Sequence, residues 1–118
     1  MQYPATVNLP RILKGKTWDP EPITYKLDGA AVNLTGCQAT LKIKQGTTTL
    51  VSMTSTPAAG ITLGGTAGTI ALLLTATATA ALTTCADAVY ELELLLADSA
   101  TVRSLMVGRV SIVEEVAV

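Results

Sequence analysis

The sequence predicts an all-β sandwich or barrel, and three observations carry that expectation. Turn-forming residues recur at short intervals: Gly15, Asp28-Gly29, Thr35-Gly36, Gly46, residues 57–60, Gly64-Gly65, Gly68 and Asp98-Ser99. Between them lie short runs in which apolar and polar residues alternate with period two. Thr supplies much of the polar surface, because hydrophobic residues make up 49% of the chain and charged ones only 14%, against roughly 25% charged in ordinary globular domains. Such a neutral surface suits either a subunit packed against others or a Thr-rich β domain in solution.

The N-terminal stretch "MQYPATVNLPRILKGKTWDPEP" holds Pro4, Pro10, Pro20 and Pro22 and the only Trp of the chain. Proline confines regular pairing to sheet edges, so residues 1–15 are expected as an extended arm. The segment "ATVNL" either adds an edge strand or reaches onto a neighbouring subunit. Trp18 is expected as a core or rim anchor, because its large surface is unfavourable to leave in water. Residues 16–118 are then one sandwich domain, a length that supports a single core.

"PITYKL" is the first expected strand, with Ile23, Tyr25 and Leu27 on one face. Asp28-Gly29 closes a hairpin, since glycine accepts the positive φ of that turn, and "AVNL" returns. "QATLKIKQ" has the cleanest alternation, with Ala39, Leu41 and Ile43 inward. "TTTLVSMT" follows Gly46 as a strand rich in β-branched residues, then "TSTPAAG" as a loop and "ITL" as a short strand. "GGTAG" reads as a hairpin turn, because it lacks the Lys and Ser/Thr ending of a phosphate loop and a strand follows it.

The stretch from Gly68 to Leu96 carries no charge before Asp87 and invites a membrane reading, but Thr75, Thr77, Thr79, Thr83 and Thr84 interrupt it. A spanning helix needs about 20 predominantly apolar residues. The expectation is instead a strand, "GTIALLL", and then a short helical turn near residues 76–82, with Thr75 or Thr77 as its N-cap and Leu82 in the core. "AVYELELLLAD" puts Tyr90, Leu92, Leu94 and Leu96 on one face. In "TVRSLMVGRVSIVEEV", Gly108 implies a bulge, a bend or a close neighbour. Arg103 and Arg109 are placed to pair with Glu91 and Glu93 across strands.

Several function classes lose their chemistry here. The chain has no histidine, which removes the commonest general base and metal ligand. No CxxC spacing exists for zinc. Glu91 and Glu93 read as a solvated face, Asp19 and Glu21 as loop residues, and Glu114-Glu115 as a solubilising pair. No catalytic, cofactor-binding or metal residue is assigned, and no enzyme activity or cofactor is expected. The net charge is −1 without a basic block, which argues against nucleic acid as a partner. The N-terminus has no secretory pattern, so Cys37 and Cys85 are expected as free thiols, with one bridge as the alternative. "TTTLVSMT" and "GTIALLL" carry no charge. Either these strands are central or their outer faces pack on another copy, since bare edges are normally blunted.

In order, the motifs resemble the immunoglobulin-like N-terminal domain of phage baseplate upper proteins and related short tail proteins of tailed phages. The matching pieces are "KGKTWDPEPITYKLDGAAVNLTGCQATLKIKQG", "GITLGGTAGTIALLLTATATAAL" and "AVYELELLLADSATVRSLMVGRVSIVEEV", covering residues 14–116. They carry a "dLtG" corner at residues 32–36, a basic strand at 38–44, an "aGtI" strand with a "T-x-x-L" turn at 69–82, "Y-x-L-x-L" at 90–94 and "G-x-V-x-V" at 108–112, with isoleucine last.

The resemblance implies an immunoglobulin-like antiparallel β-sandwich and a non-enzymatic structural subunit of a bacteriophage virion. That subunit would be a tail, baseplate or neck adaptor connecting tail components or fibres. Because the sequence stops at Val118 without a fibre extension, a stand-alone adaptor is expected rather than a receptor-binding protein. Partners would be other phage structural proteins and copies of itself in a ring or lattice, with no membrane, in a virion assembled in the host bacterial cytoplasm. Tyr3, Val7, Leu9, Ile12 and Trp18 are the candidate interface. The alternatives are a capsid decoration protein and a carbohydrate-binding sandwich.

Overall fold

In a computed structural model of the chain, residues 5–27, 29–55, 59–98 and 100–114 are described. Tyr3, Pro4, Asp28, Pro57, Ser99, Glu115 and Val116, which the sequence reading used, lie outside these residues. The elements follow in chain order: β1 (Ala5–Thr6), β2 (Ile12–Leu13), β3 (Ile23–Thr24), β4 (Lys26–Leu27), β5 (Ala30–Ala31), β6 (Gln38–Gln45) and β7 (Thr48–Thr54). After them come β8 (Ile61–Leu63), β9 (Thr69–Leu72), α1 (Ala76–Ala80), β10 (Val89–Leu95), β11 (Val102–Arg109) and β12 (Ile112–Val113).

The chain is all-β, with open sheets. A five-stranded sheet runs β1-β11-β10-β6-β7, and a three-stranded sheet runs β3-β9-β8. The pairs β2–β12 and β4–β5 complete the set among the described residues. One core cluster joins inward residues of both sheets, as a sandwich requires. The first sheet contributes Leu41, Ile43, Leu92 and Leu94, all 0% exposed. Ile61, Ile70 and Leu72 come from the second, and Trp18 and Tyr25 are buried beside them.

Alternation sets the register. In the β10–β6 pairing Leu41 lies opposite Leu92, Ile43 opposite Tyr90 and Ala39 opposite Leu94. A slip of one residue would turn this whole set toward water. Fully burying one Leu or Ile side chain contributes about 1.5–3 kcal/mol, so the register is held by several such terms at once.

Alternation fails at two bulges. Leu92 faces Met106 and Glu93 faces Ser104, which leaves Leu105 as an extra residue on β11. Leu105 and Met106 are consequently both buried, although adjacent, because a bulge turns two neighbours toward one side. In the same way Ile43 faces Val51 and Lys44 faces Thr49, leaving Leu50 extra on β7 and packed against the core.

The expected strand "PITYKL" is two strands. β3 pairs with β9 and β4 with β5, and the chain changes partner at Tyr25. The Tyr25 N–H donates to the Gly68 carbonyl at 2.8 Å, and its carbonyl accepts from Val32 N–H at 2.9 Å. Tyr25 is buried, but Leu27 is 48% exposed, so it leaves the core face assigned to it. Gly68 has to be glycine here: its φ is 71°, and a Cβ would lie 2.8 Å from the Val32 carbonyl oxygen.

The stretch that invited a membrane reading forms β9, α1 and β10. No helix among the described residues is long and apolar enough to cross a membrane. Thr75 is the N-cap, its hydroxyl accepting from Ala78 N–H at 3.2 Å, and Leu82 packs against the core. After β10, the Asp98 carboxylate accepts from the N–H and hydroxyl of Thr101 and from Ala100 N–H. Chiefly the Thr101 N–H holds its pKa down at about 2, by favouring the charged form.

Candidate interaction surface

The N-terminal arm is an integral edge of the fold. Successive donors run along the last strands: Val7 N–H to the Val107 carbonyl at 2.9 Å, Leu9 to Arg109 at 3.0 Å, Ile12 to Ser111 at 2.8 Å and Lys14 to Val113 at 3.0 Å. The pairings of β1 with β11 and of β2 with β12 are parallel. The other strand pairings among the described residues are antiparallel. The arm thus passes from the edge of the five-stranded sheet to the β12 ribbon.

Side chains fasten it. The Tyr90 hydroxyl donates to the Val7 carbonyl at 2.5 Å. Burial raises the Tyr90 pKa to about 12. Asn8 Oδ1 accepts from Arg109 N–H at 3.1 Å, and Lys14 meets Glu114 at 3.4 Å. Gly108 lies under the arm, where a Cβ would collide with the Val7 carbonyl. Of the readings offered for this glycine, the close neighbour applies.

Trp18 closes the arm onto the second layer. Its backbone exchanges hydrogen bonds with Leu74 at 2.9 and 2.8 Å. Its indole N–H donates to the Pro10 carbonyl at 3.0 Å. Thr79 forms a second clamp and is fully buried. Its hydroxyl accepts from Gly15 N–H at 3.0 Å, and its single proton points between the carbonyls of Lys16 at 2.8 Å and Ala76 at 3.0 Å. The sequence reading missed Thr79 because the run "TATATA" gives every threonine in it the same local signal.

These contacts divide the candidate interface. Ile12 and Trp18 are 0% and 4% exposed, so within this chain both are core residues; of the two places expected for Trp18, core and rim, it takes the core. Once the arm pairs in register, its inward side chains fill space that no other residue fills. Leu9 is half-buried against the core, Val7 is 42% exposed, and Tyr3 lies outside the described residues.

The outer face of the five-stranded sheet mixes charge with apolar area. Lys42 lies opposite Glu91 and Lys44 opposite Val89, around a depression of about 250 Å³ that Glu93 also lines. Arg109 lies opposite Val89, and Arg103 opposite Leu94. Neither arginine forms an ion pair with Glu91 or Glu93 among the described residues, which corrects the expected pairing. Val89 and Val102, both exposed, add apolar area to this face.

Cys37 and Cys85 are free thiols, the second buried, with the Cys85 thiol 3.4 Å from Asp87 Oδ1. Among the described residues no three His, Cys, Asp or Glu side chains gather as metal ligands. No protein-family model, curated protein or solved structure matches the chain.

Proposed function

We infer that the chain is a non-enzymatic structural subunit of a bacteriophage virion, a tail, baseplate or neck adaptor that joins other virion proteins. The observation that carries this reading is the order of motifs over residues 14–116 and its resemblance to short phage tail domains. The fold is compatible with it. The "NLTG" corner is an Asx turn, with Thr35 N–H donating to Asn33 Oδ1 at 2.9 Å and Leu34 buried. The basic strand is β6, "AGTI" leads from a turn into β9, and "YELEL" lies in β10. Affinity for neighbours would come from neutral and apolar strand surface, including Val7, Val89 and Val102.

The sugar-binding alternative needs exposed rings for stacking, and the aromatic residues among the described ones, Trp18, Tyr25 and Tyr90, are all buried. The decoration alternative differs only in position on the particle. Immunogold labelling of purified phage particles that encode the chain tests the reading. Label at the tail, neck or baseplate is expected. Label over the head shell supports decoration instead, and particles free of the chain overturn both.

A further inference from the structure

We propose that β7 is a docking edge for a second copy of this chain, paired antiparallel with its own counterpart across a twofold axis. The two edges of the five-stranded sheet are treated differently. On one side the N-terminal arm covers β11. On the other, β7 ends the sheet, and among the described residues no strand pairs with its outer side.

The ladder shows which groups face outward. Thr54 exchanges both of its backbone hydrogen bonds with Ala59, at 3.1 and 2.9 Å, on the side away from β6. Ser55 N–H turns the other way, to the Ala39 carbonyl at 3.0 Å. Backbone groups alternate sides along an antiparallel strand. Ser52, two residues before Thr54 and opposite Lys42, therefore directs its N–H and C=O to the open edge, where Ala59 does not reach.

Several features favour a copy of the same strand as the occupant. Natural edges are blunted by charge, proline or extreme shortness. β7, "TTLVSMT", has seven residues, no charge and no proline. Its one irregularity is the bulge at Leu50, toward its start. Across a twofold axis a strand meets its own side chains, so a charged edge would meet like charge and repel. A neutral edge rich in Thr and Ser carries no such penalty, and Thr–Thr and Thr–Ser pairs are favourable across strands. Antiparallel edges are also self-complementary in their donors and acceptors. Lys42 and Lys44 lie one strand further in, on β6, so two strands, the paired β7 edges, separate them from their counterparts in the dimer. A single edge buries little area for a protein interface, so the pairing is concentration-dependent. It holds for any two copies, in a particle or free in solution.

The test uses the full chain. Sedimentation from micromolar to millimolar concentration is expected to show monomer passing to dimer. Amide exchange by NMR is expected to show Ser52 N–H open in the monomer and protected as the dimer forms, while Val51 and Met53 stay protected throughout by β6. Ser52→Pro removes a donor that β6 does not use, and edge strands tolerate proline at such a position. Ser52→Lys places charge at the axis. Each variant should lose the concentration dependence while keeping the far-UV spectrum of the parent. A wild-type chain that stays monomeric throughout overturns the proposal. So does a dimer in which Ser52 N–H remains open, or one that a folded Ser52→Lys variant forms equally well.

Discussion

Tyr90 shows how one side chain ties distant segments together. Its ring fills the core beside Ile43, and its hydroxyl reaches the Val7 carbonyl. Tyr90→Phe keeps the ring and removes that bond, which should lower unfolding free energy by about 1 kcal/mol at neutral pH. The hydroxyl also makes stability pH-dependent. An unfolded tyrosine loses its proton near 10, while Tyr90 holds its own to about 12. Between those values the folded chain binds the extra proton, so this contribution is complete below pH 10 and is lost as pH rises toward 12. Urea unfolding across that range should give a steeper loss for wild type than for Tyr90→Phe, and equal slopes would refute the assignment.

At the scale of elements, α1 is a single short helix whose value lies in one buried hydroxyl. Removing the cap by Thr75→Ala should cost about 1 kcal/mol. Thr79→Val has nearly the same shape but takes from Gly15 N–H the hydroxyl that accepts from it, so it should cost about 1–3 kcal/mol and exceed Thr75→Ala. Denaturant midpoints of the two variants decide this; a smaller effect for Thr79→Val would mean that the clamp does not form. β6 and β10 are the opposite case. Their alternation alone identifies Leu41, Ile43, Leu92 and Leu94 as core, because side chains in a pleated strand alternate faces whatever the neighbours are. The bulges at Leu50 and Leu105 were not legible in this way. A bulge is set by how two strands fit, and "SLMV" reads the same with or without one.

At the scale of the whole molecule, the arm and the two layers form one cooperative body, with Trp18 at their junction. Trp18→Ala should cost about 3–5 kcal/mol, the range for an aromatic removed from a core, and lower the midpoint of thermal unfolding accordingly. A near-neutral result would return Trp18 to the partner surface. Among the described candidates, the exposed Val7 is the residue whose replacement can test an interface with little disturbance to the core.

The sequence by itself determined the class of fold, the long strands, the antiparallel return of β4 into β5 and the capped helical turn. Each of these rests on local rules: the pitch of a strand, the φ that glycine allows, the reach of a threonine hydroxyl. Only the tertiary structure decided that the arm pairs in parallel with the last strands, that Ile12 belongs to the core and Trp18 sits in it rather than on its rim, and that β7 ends its sheet. Asn8 and Arg109 are 101 residues apart, and no local pattern brings them together. That depends on which edge remains unpaired once the rest of the chain has packed, a property of the assembled sheets.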